Sequence, residues 1–231
     1  MADFFDLFAQ NQIPVTREQY DKLAAYAALL AEENRRQNLT AVRDEAAVWE
    51  RHLLDSAVLM RFLPVEKASV VDLGTGGGIP GIPLAILRPD LTVTLLDSEL
   101  HKIEFCARAV ERLGLSARAV CGRAEELAHT DAFRGQFDLA VSRAMAAGSM
   151  LCELAIPMLK TGGALFSMKG RAYDPAAERF AEACEALGAE VEATAEYTLC
   201  GEQKHLIICR KTQDTPAQYP RRFAKIKRSP L

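Results

Sequence analysis

Residues 70–81 read Val70-Val71-Asp72-Leu73-Gly74-Thr75-Gly76-Gly77-Gly78-Ile79-Pro80-Gly81. A short apolar run breaks into a glycine-rich turn, and helix-compatible sequence, GIPLAIL (residues 81–87), resumes behind it. Strand, glycine turn and helix in that order form the ligand-holding corner of a doubly wound α/β sheet. Glycine suits the turn because a ligand pressed against the backbone leaves no room for a Cβ, and because such turns often need φ > 0. About 20 residues further on, Asp97 ends a second apolar run, LTVTLLD (residues 91–97). A carboxylate there can accept both hydroxyls of an adenosine ribose. Two ligands fit this pattern. Gly76, Gly78 and Gly81 also spell G-x-G-x-x-G, the dinucleotide fingerprint. The spacing Asp72-x-Gly74-x-Gly76 favours the methyl donor S-adenosylmethionine, because a carboxylate beside the turn attracts an amino-acid ammonium and repels a pyrophosphate.

Working outward, apolar runs alternate with helical patterns. ARAVCG (117–122), FDLAVS (137–142) and GALFSMK (163–169) read as short buried strands, with an acidic turn or short helix, AEELAHTD, and a longer helix, GSMLCELAIPMLK, between them. A helix near 175–187 leads into VEATAEYTL and KHLIICRK, two runs parted only by CGEQ, hence an antiparallel hairpin at one edge. Such alternation predicts a mostly parallel seven-stranded sheet with helices on both faces, the Rossmann-like α/β fold of class I S-adenosylmethionine-dependent methyltransferases. Residues 1–66 read as an N-terminal helical cap. Thr16 and Gln19 form a capping box, with Tyr20, Leu23, Ala27 and Leu30 at helical spacing behind it, and a second amphipathic helix starts near Asp44. The methyltransferase domain is expected over 67–212 and a basic tail over 213–231.

Six scattered cysteines without C-x-x-C spacing read as reduced core residues, with no metal site expected. The N-terminus has no basic segment followed by an apolar stretch, and no window reaches the ~20 apolar residues of a membrane span, so a cytoplasmic monomer off the membrane is expected. A net charge of −3 speaks against a polyanionic partner, but its distribution does not. Arg221, Arg222, Lys225, Lys227 and Arg228 crowd the last residues without an acid among them, a tail suited to RNA phosphates and expected to be mobile without RNA. Its deletion is expected to weaken RNA binding far more than cofactor binding.

The turn Arg123-Ala124-Glu125-Glu126 follows the third strand, where this architecture places the adenine, and backbone amides of Ala124 and Glu125 can meet the ring. Ser142-Arg143-Ala144 ends the fourth strand, where many methyltransferases carry an Asn-Pro-Pro-Tyr type motif for exocyclic amines. Its absence points to an acceptor with a free lone pair, such as guanine N7, and to catalysis by alignment.

RHLLDS (51–56) followed by DLGTGGGIPGIPLA (72–85), with NLTAVRD, LLDS, RAEEL, SRA, MKG and KHLIICRK, resembles the bacterial small-subunit rRNA guanine-N7 methyltransferase family, also called glucose-inhibited division protein B. The likeness covers nearly the whole chain. It implies methylation of a guanine N7 in the decoding-region loop of 16S rRNA, with cofactor contacts at Gly74, Gly76, Ile79, Asp97, Ala124, Glu125 and Arg143. Asp72 and Gly78 join that set from the loop itself. It also points to Asn38, His52, Asp55 and Lys169 for RNA contact or site support, and Arg143 and Lys169, at the ends of two strands, are the catalytic candidates. Gly77 departs from the family, where proline is frequent, which should loosen the loop without changing its ligand. Local readings compete: His52 and Asp55, three apart, suit a hydrogen bond within one helix, and Asn38 suits a turn cap. Two other functions remain open, a nicotinamide-dependent oxidoreductase, for which no Tyr-x-x-x-Lys pair is present, and a non-catalytic RNA-binding factor.

Overall fold

The computed structural model describes residues 4–64 and 66–231. Its centre is a seven-stranded sheet: β1 (Ser69–Leu73), β2 (Thr92–Asp97), β3 (Ala117–Cys121), β4 (Phe137–Arg143), β5 (Leu159–Lys169), β6 (Ala189–Leu199) and β7 (Glu202–Lys211). The spatial order is 3-2-1-4-5-7-6, with β7 antiparallel to both neighbours and every other pair parallel. The order reverses between β1 and β4, so the crevice opens at the carboxyl ends of those strands, beside the glycine turn. The expected hairpin is β6–β7, closed by Cys200 and Gly201, both left-handed at φ 50° and 77°.

Each face of the sheet carries its own apolar layer. On one side lie α1 (Phe5–Gln10), α2 (Arg17–Asn34), the 45–61 segment, α5 (Gly81–Leu87) and α6 (Leu100–Leu113), whose Leu23, Leu30, Leu54, Ile82 and Phe105 join Val70 and Leu95. The cap thus shares its core with the sheet. On the other side, α7 (Ala124–Leu127), α8 (Gly148–Ala155) and α10 (Phe180–Leu187) pack with Ala140, Leu165 and Ile207. Thr16 and Gln19 form the expected capping box. β3 departs from the buried-strand expectation, being only half-covered at the sheet's edge.

Several elements differ from the sequence reading. The second cap helix is not uniform: α3 (Glu45–Val48) runs into a π-helical stretch, Trp49–Leu54, then α4 (Asp55–Ala57) and a 3-10 turn, Val58–Arg61. The wider turn changes the phase, and residues 52–59 are buried all round. The helix expected through Lys160 ends at Ala155, and Ile156–Met158 is a 3-10 turn containing Pro157, which cannot continue the α ladder. β5 therefore starts at Leu159, before the glycine pair. The helix expected over 175–187 is cut at Arg179, left-handed at φ 53°, into α9 (Pro175–Glu178) and α10.

The largest correction concerns the tail. Rather than lying free, it folds back, adds α11 (Phe223–Arg228), and buries Ile226 in the α7–α8 layer. Arg134 donates to the carbonyls of Thr215 and Tyr219, each at 2.8 Å, and His129 Nε2 meets the Pro220 carbonyl at 2.7 Å. Cys106, Cys152, Cys184 and Cys209 are core residues, whereas Cys121 and Cys200 are exposed. Spacing did not reveal that Cys152, Cys184 and Cys209 converge, their sulfurs all within 4.8 Å of one another. Apolar side chains surround them, and burial pushes the Cys152 thiol up.

Candidate functional site

The crevice holds two cavities that meet at Ala144 and Met145. The first, about 310 Å³, lies over the glycine turn. Gly74 and Gly76 form its floor at φ 67° and 56°. Of these two, Gly76 is the one whose Cβ would point into open space, its nearest neighbour beyond the adjoining residues being the Gly74 carbonyl oxygen, 4.0 Å away, whereas at Gly74 a Cβ would meet Met145 at 2.7 Å. Asp97, at the end of β2, steadies this floor: Oδ2 accepts from the Gly76 N–H at 3.0 Å and Oδ1 from the Glu99 N–H at 3.0 Å. Each oxygen keeps a lone pair for a ligand hydroxyl. Ala124 and Glu125 line the far wall, in the first turn of α7, where amide N–H groups have no intrahelical acceptor.

Three residues expected at the cofactor lie behind this surface. Asp72 is fully buried beneath the loop, where its Oδ2 accepts from the Thr75 hydroxyl at 2.6 Å and the Gly81 N–H at 2.8 Å. It locks the turn rather than lining the cavity. Burial pushes its carboxyl up to about 7 against those two hydrogen bonds, and its Oδ1 has no partner. Gly78 is a packing glycine, since a Cβ there would stand 2.3 Å from Ile82 Cδ1. Ile79 is a core residue. At Gly77 the structure shows why the loop holds without proline: its carbonyl accepts from the buried Tyr26 hydroxyl at 2.6 Å, and a Cβ would meet Leu30 at 2.9 Å.

Arg143 also departs from expectation. Its guanidinium leaves the first cavity for the second, a space of about 680 Å³ bounded by β4, β5, the β6–β7 hairpin and the π-helical stretch. There Nη2 donates to His52 Nδ1 at 2.9 Å, Nη1 meets Asp55 Oδ2 at 3.3 Å, and Nη1 also donates to the Arg51 carbonyl. His52 and Asp55 are thus joined through Arg143, not to each other. An arginine cannot accept, so His52 Nδ1 is the acceptor, and Nε2–H donates to Thr40 Oγ1 at 2.7 Å. Burial and the adjacent guanidinium push His52 down to about 4. Asp55, 3% exposed, also receives Lys204 Nζ at 3.1 Å and the Tyr197 hydroxyl at 3.2 Å. Those two stand opposite each other in the β6–β7 register, so one strand pair delivers both donors. Burial beside Asp55 raises the Tyr197 hydroxyl, keeping it a donor. Lys169, at the end of β5, donates to the Ala146 carbonyl and Glu178 Oε2, each at 2.8 Å, and so braces the 146–148 turn.

Asn38 lies outside both cavities, on an exposed turn where its Oδ1 accepts from Arg43 at 3.3 Å. Thr40, two residues on, makes the contact to the site. Arg221 is removed from phosphate duty: its backbone and guanidinium give three hydrogen bonds to Glu153, a carboxylate with no exposed surface. Arg222, Lys225, Lys227 and Arg228 remain exposed. Sequence reasoning missed Tyr197, Lys204, Met145 and Phe223. Strand alternation in the hairpin pairs the first two, but nothing in the chain marks the others.

Residues 19–207 match the family model described as GidB, rRNA small subunit methyltransferase G. The chain belongs to that family. It is 39% identical to the ribosomal RNA small subunit methyltransferase G of Moorella thermoacetica, over 95% of this chain and 93% of the relative. The homologue of that name from Clostridium beijerinckii is 36% identical, over 99% of both chains. Family membership makes the chain a methyltransferase of small-subunit rRNA that depends on S-adenosylmethionine. Solved structures agree on the fold alone. TrmN from Thermus thermophilus superposes with a TM-score of 0.53 at 20% identity, covering 69% of this chain and 48% of that one. A methyltransferase from Pyrococcus furiosus gives 0.55 at 19%, covering 70% and 83%.

Proposed function

We propose that the chain methylates N7 of a guanine in the decoding-region loop of 16S rRNA, the first cavity holding S-adenosylmethionine and the second the target base. One observation carries this reading: the buried imidazole and carboxylates of the second cavity are all engaged, and its remaining acid, Glu202, lies half-exposed at the rim, 3.6 Å from Arg51. Both nitrogens of His52 are engaged, Asp55 is saturated by Arg143, Lys204 and Tyr197, and Glu178 takes Lys169 and the Gly148 N–H. An exocyclic amine or a hydroxyl would need its proton removed, whereas N7 attacks with a lone pair already in the ring plane.

When bound, S-adenosylmethionine would supply an electrophilic methyl group on a sulfonium sulfur, with a neutral thioether as the leaving group and the positive charge going to the purine. The residues position and exclude. Asp97 is placed for the ribose hydroxyls, and the α7 amides of Ala124 and Glu125 for the adenine edge. The open Gly76 lets an amino-acid end lie on the backbone. Ala144, left-handed at φ 54°, turns the chain so that Met145 stands between the cavities. Arg143 and Lys204 offer N–H donors to guanine O6 or a flanking phosphate, leaving N7 unbonded for in-line attack. Asp72, Gly78 and Ile79 support the loop from behind, and Lys169 holds the turn that carries Met145. Thr40 and His52 steady Arg143.

In this reading the cap (1–66) and the tail (213–231) flank a methyltransferase domain (67–212), and Arg222, Lys225, Lys227 and Arg228 contact RNA phosphates. The protein acts as a cytoplasmic monomer: one chain completes both cavities, and no helix of the described residues is long and apolar enough to cross a membrane. Mass mapping of 16S rRNA from cells with and without the gene tests the proposal. One 7-methylguanosine should vanish with the gene and return with the wild-type chain. An unchanged 7-methylguanosine pattern, or loss of a methyl from a different atom, would refute it.

A further inference from the structure

Three large hydrophobic side chains are exposed among the described residues: Leu100 at 59%, Met145 at 37% and Phe223 at 36%. Two of them, Met145 and Phe223, border the first cavity, although they lie far apart in sequence. A concave site in which apolar side chains face a set of polar groups is a place for an aromatic ligand. We propose that the C-terminal tail is a structural part of the cofactor site. Phe223 closes its adenine end, so that docking of the tail and binding of the cofactor are linked. The proposal rests on the cofactor reading of that cavity.

The anchoring of the segment supports this assignment. Arg221, two residues before Phe223, fills a need of the core: Glu153 has no exposed surface, and Arg221 supplies an opposite charge and three hydrogen bonds. A buried carboxylate is tolerated only when paired in this way. Ile226, three residues after Phe223, is wholly buried. Fixed on both sides, the ring has little freedom to leave the cavity. The tail also bridges the two helices that flank the adenine wall. His129, just past α7, holds the Pro220 carbonyl, and Glu153 on α8 precedes Leu154, itself a lining residue. On the outward side of the same short helix lie exposed Lys225, Lys227 and Arg228. One six-residue element thus joins an apolar contact inside the cavity to a cationic surface outside. RNA phosphates that hold the tail down should tighten cofactor binding, and by thermodynamic reciprocity the cofactor should tighten RNA binding. This alters the expectation that tail deletion acts mainly on RNA.

Calorimetric titration of the full-length protein with S-adenosylhomocysteine and with 5′-methylthioadenosine, which keeps the adenine but lacks the amino-acid end, tests the inference. Phe223→Ala should weaken both by the same factor, about 5- to 160-fold, the range for one base–aromatic contact. Phe223→Trp should restore binding. Asp97→Ala, in the same assay, reports on the cavity itself. If Asp97→Ala weakens S-adenosylhomocysteine while Phe223→Ala stays within twofold of wild type, the tail is not part of the site and the inference fails alone. If neither variant weakens binding, the cavity is not the cofactor site and both readings fall. Loss of S-adenosylhomocysteine affinity with 5′-methylthioadenosine unaffected would overturn the placement of Phe223 at the adenine.

Discussion

The two cavities of the crevice are built from different material. The polar floor of the cofactor side is built largely on backbone: the glycines of one continuous loop, the first turn of α7, and the Asp97 carboxylate that braces that loop. The acceptor side is mostly side chain, a charged cluster gathered from the π-helical stretch, α4, β4 and the β6–β7 hairpin. A backbone-built site tolerates change in most residues around it but not in its glycines. A side-chain cluster depends on each member, because removing one leaves a partner buried and unpaired.

That contrast can be broken most sharply at Asp55. Asp55→Ala leaves Arg143 and Lys204 facing one another without their shared anion, and should cost about 3–5 kcal/mol of folding stability. Chemical denaturation reads this directly, and a loss below about 1 kcal/mol would mean that the cluster behaves like a surface ion pair. Arg143→Lys keeps the charge but loses the planar fork that reaches His52, Asp55 and the Arg51 carbonyl together. It should lower kcat/KM for rRNA by about 100-fold, the scale of a misplaced catalytic geometry, with S-adenosylhomocysteine affinity unchanged. Parallel losses in both would erase the division between the two sides. Asp97→Ala should do the reverse, weakening cofactor binding by about 1–3 kcal/mol and leaving RNA affinity measured without cofactor intact.

The sides should also answer pH in opposite directions. Asp72 holds its proton up to about 7 in the folded protein and 3.8 ordinarily, so its contribution to stability falls as pH rises from near 4 to 7. His52, at about 4 folded against 6.5 ordinarily, costs stability as pH falls from 6.5 toward 4. In Asp72→Asn the first loss should vanish while the second remains, as thermal unfolding across that range would show. The smallest effect belongs to the tail's outer face. Lys227→Ala should reduce the slope of log affinity against log salt by about 0.9 or less, as expected for one lost phosphate contact.

The same contrast explains what could be read from the sequence. The loop at 70–81, Asp97 and the RAEEL turn are local, so spacing alone located the strand ends and the cavity between them. Phe223, Lys204 and Tyr197 join the site only after topology folds distant segments together. Arg143 was singled out by its position at the end of β4, yet which way its side chain turns depends on the phase of the π-helical stretch. Charge composition marked the tail as basic and solvated but could not show that Glu153 would be sealed inside α8, waiting for Arg221.

The hydroxyl of Tyr26 donates a hydrogen bond to the Gly77 carbonyl in a place no solvent reaches, where burial holds its proton firmly in place. Cutting away the first sixty-odd residues would strip the cofactor loop of that buttress and of Leu30 beneath it. The sheet is therefore no portable catalytic cartridge. Anyone grafting a foreign RNA-reading cap onto it would have to transplant this tyrosine and its leucine too, or redesign the turn that they support.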